Sequence, residues 1–411
     1  MRWSERRARS RRDGKPVRWT SLAWPLVVVG IIVLGPFVLS PSALDMASLC
    51  ALYLIAGVGL NILMGYTGQV SFGQGAFWAV GAYAVGITTT RFGLPLPFAI
   101  VLAVALTAAV AFLIGWPITQ LRGHYVGVAT LALALITVDL ANNLEGLTGG
   151  NAGLVGVPSL EFFGYPVLGG DFYRLCWVIA LAVLVTAHNL HHSRAGRALR
   201  SVGADESGSQ ALGVPAAAYR LRAFVFAASL AGLGGALYAP FLGFLSPDAF
   251  EVSLSALFLI VIVVGGMRSV YGALVGAVVI TVLSQSLATL ASSPELPPRL
   301  APALNALVYG GVIVVVMRLM PSGLLDIVDR MRRRLRLRPP DAVDRATDDP
   351  YAVAQATDDP YAVARATDDP YAVGRATDDS DGSPHPPDST PLPALTAGHP
   401  DRPPTAKEPE G

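Results

Sequence analysis

Asn61-Ile-Leu-Met-Gly-Tyr-Thr-Gly-Gln-Val-Ser-Phe-Gly-Gln-Gly75 is polar, broken by glycine, and set between apolar runs. Hydrocarbon offers no partner for an unpaired backbone N–H or C=O. A segment of this kind is therefore tolerated at membrane depth only when protein surrounds it or when it lines a cavity. Asn61, Thr67, Gln69, Ser71, Gly73 and Gln74 are the first candidates for lining a translocation path. Thr130, Asp139, Asn142 and Asn143, polar positions in or at the end of another apolar run, complete that set.

The sequence around this stretch supports a membrane setting. Of 411 residues, 53% are hydrophobic and 14% charged, and the mean hydropathy is +0.51. Residues 21–320 hold only 11 Lys/Arg and 10 Asp/Glu. A soluble domain carries about 25% charged residues, so this core lacks the charge for a solvated surface. A soluble enzyme, a nucleic-acid binder and a secreted disulfide scaffold are excluded. Cys50 and Cys176 both fall in apolar runs and supply no disulfide framework or metal knuckle. Eight basic residues between Arg2 and Arg18 read as a cytoplasmic anchor beside anionic lipid. The apolar run that follows is too long for a signal-peptide core, and no small-residue cleavage site follows it, so an uncleaved first helix is expected.

A membrane-crossing helix needs about 20 apolar residues. Candidate spans are 22–40, 43–64, 70–90, 95–118, 124–143, 172–190, 221–244, 253–268, 271–291 and 302–320. With the N-terminus inside, Arg122, Arg194, Arg197, Arg200, Arg220, Arg222, Arg268, Arg318 and the run Arg330 to Arg338 face the cytoplasm. Only Arg91, Arg174 and Arg299 face outward, and this asymmetry favours an even count. The expected fold class is an all-α polytopic membrane protein with about ten transmembrane helices and both termini cytoplasmic. Residues 1–20 form the basic N-terminus and 21–325 the membrane domain, with an external loop at about 144–171 and a cytoplasmic loop at about 191–220. Residues 326–411 form a cytoplasmic tail in which a ten-residue unit, Arg/Gln-Ala-Thr-Asp-Asp-Pro-Tyr-Ala-Val-Ala/Gly, recurs over 345–379. One proline and two adjacent aspartates per unit cannot sustain a helix or a buried core, so the tail reads as disordered.

Within the spans ionisable groups are scarce. Asp139 is the clearest, and its position near Asn142-Asn143 suits an interfacial residue or one lining a polar vestibule. The sequence holds no phosphate-binding G-x-x-x-x-G-K-[ST] and no catalytic constellation; its only lysines are Lys15 and Lys407. His188, His191 and His192 share a helical face where a span meets the basic loop, which favours interfacial packing over a metal site. Glycines crowd the spans, and Gly272 to Gly276 and Gly123 to Gly127 fit the small-xxx-small spacing of closely packed helices.

The loop 193–222 mixes Arg197, Arg200, Asp205 and Glu206 with Ala198, Leu199, Val202, Ala211 and Leu212. This pattern allows short amphipathic helices along the membrane face, ended by Gly213 and Pro215. Composition alone leaves membrane-surface packing and docking of another protein equally open. Here a resemblance enters. Gly196-Arg-Ala-Leu-Arg200, Ala211-Leu-Gly-Val214, Tyr219-Arg-Leu-Arg-Ala-Phe-Val-Phe-Ala-Ala228 and Ala231-Gly-Leu-Gly-Gly-Ala-Leu-Tyr238 resemble permease subunits of branched-chain amino acid ABC importers, LivM type. Further stretches agree in order: Leu60 to Leu63 through Ser71-Phe-Gly-Gln-Gly-Ala-Phe77, Leu121-Arg-Gly-His-Tyr125, Thr148 to Pro158, and Pro321-Ser-Gly-Leu-Leu325. The resemblance covers about residues 45–325.

The resemblance implies a transport subunit, not an enzyme, in a bacterial cell membrane. It makes Gly196, Arg197, Asp205, Glu206, Ala211, Leu212 and Gly213 an ATPase-coupling segment. It implies a second homologous permease, two ATP-binding subunits that carry ATP and Mg, and an external solute-binding protein. No cofactor, metal or nucleic acid is expected on this chain itself. Relatives commonly place an acidic and a basic residue where this chain has Leu135 and Val138. They carry Gly-Gly-x-Gly-Ser where it reads Gly265-Gly-Met-Arg-Ser269, and helix-forming alanines where it reads Glu206-Ser-Gly-Ser-Gln210. The nearest alternative cargo is urea or a short amide, and the alternative of another class is an ion-coupled secondary carrier.

Overall fold

The computed structural model describes residues 30, 32–120, 125–162, 165–167, 169–267, 269–291 and 311, all within one unit, Met1–Arg333. The basic N-terminus, the span 302–320, the run Arg330 to Arg338, the repeats and the tail lie outside the described residues, as do Arg122 and Arg268.

The longest helices are α1 (Pro41–Thr67) and α9 (Ala216–Leu242). Between them come α2 (Gln74–Thr90), α3 (Leu96–Ile118), α4 (Tyr125–Asn143), the short α5 (Glu145–Thr148), α6 (Gly170–His192), α7 (Arg194–Ala204) and α8 (Glu206–Ala211). After α9 come α10 (Val252–Gly265) and α11 (Gly272–Ala291). Local chemistry fixes the ends of α1. The Ser40 hydroxyl accepts from Ala43 N–H, Pro41 opens the first turn, and Gly68 at φ 68° closes the last by donating to the Met64 carbonyl.

Helix α1 is buried along most of its length from Cys50 to Leu63, as befits an apolar helix at the centre of a bundle. Helix α3 lies at the edge. Its outer side shows Phe98, Val101, Leu102, Phe112, Leu113 and Trp116, while Ala99, Ala103, Thr107, Ala111 and Gly115 are buried at every fourth position. That row faces α9, where Gly232 meets the Thr107 side chain and Phe224 packs on Gly115. A close crossing joins α2 and α9. A Cβ on Gly81 would strike the Gly232 carbonyl, and one on Gly235 would strike the carbonyl of Trp78. Helices α10 and α11 form a hairpin of the same kind, with Gly265 against Gly272 and Gly276 against the Val261 carbonyl.

Six helical stretches are long and apolar enough to span a bilayer among the described residues: Pro41–Thr67, Leu96–Ile118, Tyr125–Asn143, Gly170–His192, Ala216–Leu242 and Pro247–Gly265. Helix α2 has 17 residues, and the apolar part of α11 runs only over Gly272–Ser286. The expected count of ten also included 22–40, of which residues 30 and 32–38 are described as helical. Helix α2 is shorter than the expected span 70–90 because residues 68–73 are not helical. The chain leaves α1 at Thr67 and turns back beside it. Gln74 then opens α2 within hydrogen-bond reach of Ala56, deep in α1.

The two ends of the bundle differ. At one, the C-terminus of α1, the end of α6, helices α7 and α8, the start of α9 and the turn 266–271 come together. At the other, the expected external loop is a folded cover. It contains α5, a 3-10 turn at Gly150–Ala152, and strands β1 (Leu154–Val155), β2 (Glu161–Phe162) and β3 (Tyr165–Pro166). Strand β1 pairs antiparallel with β4 (Phe244–Leu245), Leu154 opposite Leu245, and β2 pairs with β3. A cavity of about 170 Å³ opens here, lined by Asp45, Leu160, Phe172, Pro240 and Phe241 among others.

Candidate functional site

The break between α1 and α2 is held by hydrogen bonds to four helices, α1, α4, α9 and α10. The Gln74 amide nitrogen donates to the Ala56 carbonyl of α1 and the Ala227 carbonyl of α9, both at 3.1 Å. Gly75 N–H donates to Ser255 Oγ of α10 at 2.9 Å. Phe72 N–H donates to Thr130 Oγ1 of α4 at 3.0 Å, and that hydroxyl also reaches the carbonyls of Val126 and Gly127. Ser71 Oγ accepts from Gly73 N–H, and Gly73 leaves room for Thr130. A helix N-terminus leaves its first N–H groups without intrahelical partners. At this one, far from either end of the bundle, the Ser255 hydroxyl supplies Gly75 N–H, and the Thr130 and Ser71 hydroxyls supply Phe72 and Gly73 just before it.

The sequence-selected polar residues fall into three places. Ser71, Gly73, Gln74 and Thr130 meet at the break. Asn61, Thr67 and Gln69 lie nearer the α7 end. The Asn61 amide nitrogen donates to the Ser269 carbonyl at 2.7 Å, Thr67 Oγ1 donates to the Leu63 carbonyl, and the buried Gln69 amide has no partner among the described residues. Asp139, Asn142 and Asn143 lie at the opposite end of α4, where Asn143 donates to the Asp139 carbonyl and Asp139 is exposed. Of the departures from the family pattern, Leu135 is exposed on α4 and Arg268 is outside the described residues.

Ser255 was not legible as part of the site. A lone serine in an otherwise apolar helix carries no signal until the fold brings Gly75 to it. The aromatic surround of Trp78 was equally hidden. Tyr53, Tyr238 and Phe258 lie with ring centroids 6.0, 5.5 and 5.1 Å from the indole.

The loop 191–220 folds into α7 and α8. Ser193 caps α7 by accepting from Gly196 N–H, while Gly196 sits against the Leu190 carbonyl and Arg197 donates to His192 O. Leu199 and Val202 are buried. Arg200 donates to both Nδ1 and the carbonyl of His191 at 2.9 Å and lies over the Tyr66 ring, whose hydroxyl is also 2.9 Å from that Nδ1. A guanidinium can only donate, so Nδ1 accepts and the imidazole proton sits on Nε2. The three histidines pack on one another: the His188 and His192 rings are 4.7 Å apart, His191 meets His192, and His188 faces Tyr271. Helix α8 forms despite Gly208, with the Asp205 carboxylate in the space a Cβ there would take. Glu206 pairs with Arg220 of α9 at 2.6 Å. Asp205 and Ala211 are exposed, Leu212 is 85% exposed at the tip, and Gly213 turns the chain at φ 81°.

Residues 42–317 match the family described as branched-chain amino acid transport system / permease component. The chain belongs to this family. It is 30% identical to the high-affinity branched-chain amino acid transport system permease protein LivM of Salmonella typhimurium, over 77% of this chain and 75% of that protein. LivM of Escherichia coli gives the same figures. The permease protein LivH of Salmonella typhimurium is 25% identical over 68% of this chain and 92% of that protein. No solved structure matches the chain. The permease is thus a multi-pass membrane protein whose relatives are transport subunits rather than enzymes.

Proposed function

We propose that the chain is the membrane-spanning subunit of an ATP-driven ABC importer for branched-chain or related hydrophobic amino acids. The observation that carries this reading is the family match over residues 42–317, with similarity to both LivM and LivH permeases. In it the permease pairs with a second, homologous permease. Two separate subunits bind and hydrolyse ATP with Mg, and an external solute-binding protein delivers the cargo to the face covered by α5, β1 and β4.

The α7–α8 end is cytoplasmic in this reading, and with it both termini. Arg194, Arg197, Arg200, Arg220 and Arg222 cluster at that end, in keeping with the inward bias of basic residues. Leu212 and its exposed neighbours in the 205–213 segment suit a knob seated in a groove of the ATPase subunit. Closure of the two ATPases then moves α7 and α8, and access alternates between the two faces. The permease contributes binding surface and movement, and no bond is broken on it.

Purification in gentle detergent from the native membrane tests this, with every stoichiometric chain identified. One further permease and two ATPases carrying the phosphate-binding motif are expected. Recovery of this chain alone, still transporting after reconstitution, would replace the importer with a self-sufficient carrier.

A further inference from the structure

We infer that Gln74 is a positioning residue for transport: its side-chain amide clips α1 to α9 and so passes movement of the α7–α8 cap to the broken start of α2. The inference rests on the importer reading above. Gln74 is 1% exposed, so it lines no open path in this conformation. It spends both amide protons on helix carbonyls, those of Ala56 and Ala227, at 3.1 Å each.

The two carbonyls sit at matching depth. At 1.5 Å per residue, Ala56 lies about 16 Å before the cap end of α1, and Ala227 lies the same distance beyond the cap end of α9. The two halves of the cap grip these helices differently. Helix α7 is fastened to α1, with Gly203 against the Tyr66 carbonyl and Arg200 over the Tyr66 ring. Helix α8 is fastened to α9 through Glu206 and Arg220. A shift of α7 against α8 therefore acts on the α1–α9 contact, where Gly59 packs on the Ala227 backbone. The Gln74 amide bonds across that contact, and its hydrogen bonds weaken steeply with distance and angle. Because Gln74 is also the first residue of α2, the helix start follows whichever partner the amide keeps. Ser255 and Thr130 hold the same break but tie it to α10 and α4, which among the described residues the cap does not grip through an ion pair or a stacked arginine.

The test uses the assembled importer in proteoliposomes, with tritiated leucine as cargo, and reads ATP hydrolysed per leucine imported. Gln74→Leu keeps volume and removes both bonds. It is expected to raise that ratio about tenfold, the scale of two buried hydrogen bonds, with assembly and ATP hydrolysis retained. Ser48→Ala removes one buried bond within α1, away from the break, and should leave the ratio near that of the wild type. An unchanged ratio in Gln74→Leu, or an equal rise in Ser48→Ala, would overturn the inference. If Gln74→Leu does not assemble, Gln74→Glu decides. A neutral carboxylic acid there donates one bond, so a rise of about threefold is expected, and no rise would overturn the inference. Wild-type liposomes that import no leucine on ATP would remove the importer reading and this inference together.

Discussion

Arg220 Nη2 lies 2.6 Å from Glu206 Oε2, across the junction of α8 and α9. The pair is partly shielded, with 16% and 28% of the two side chains exposed. Among the described residues it is the ionic link between the exposed tip at Leu212 and the body of the bundle. Glu206→Ala is expected to cost about 1 kcal/mol locally and to loosen α8 without affecting membrane insertion. Faster hydrogen exchange over 206–211 at unchanged yield is the check.

Leu212→Asp separates docking from folding. The side chain is 85% exposed, so its loss removes little packing within the permease. Where Leu212 seats in an ATPase groove, a charge there should abolish ATP-driven uptake and the co-purification of the ATPase while the permease still inserts. Normal uptake would exclude the coupling assignment.

Arg200→Ala should free α7. It removes two hydrogen bonds to His191 and the stacking on Tyr66, of which the cation–π part alone is worth about 0.5–1 kcal/mol. Protease cleavage within 194–204 is expected to accelerate, with the rest of the bundle protected as before.

Gly81→Leu tests the α2–α9 crossing. A side chain there meets the Gly232 backbone, which cannot swing aside as a flexible side-chain tip can. Overpacking costs about 1–3 kcal/mol or more, so a lower melting temperature in detergent is expected. Gly146→Leu, with open space around the glycine, should melt as the wild type.

Removal of residues 340–411 should leave uptake largely intact, because the Pro- and Asp-rich repeats cannot build a core. Transport assays of the truncated chain in cells check this.

Much of the bundle was legible because burial in lipid is a property of composition. Twenty-one charges among residues 21–320 leave no other surroundings for them. Eight of the expected spans correspond to described helices, with ends within a few residues except at the starts of α2 and α9. The glycine pairs were visible as spacing, and the amphipathic pattern of 194–204 anticipated α7. The all-helical expectation missed the short strands of the cover beside α5, where β1 and β4 meet across ninety intervening positions.

The sequence by itself determined that the chain crosses a membrane, roughly where its helices run, and that a helix breaks within 61–75, a break the structure confines to 68–73. Each follows from local apolar content, spacing or an exposed backbone, quantities defined along the chain. Only the tertiary structure decided what that broken segment touches. Gln74 reads as one more polar residue until α1 and α9 bring the Ala56 and Ala227 carbonyls to its amide. Ser255 reads as nothing until Gly75 N–H reaches it. Hydrogen bonds between residues 153 and 180 positions apart depend on how helices cross, and glycine backbones in contact set those crossings.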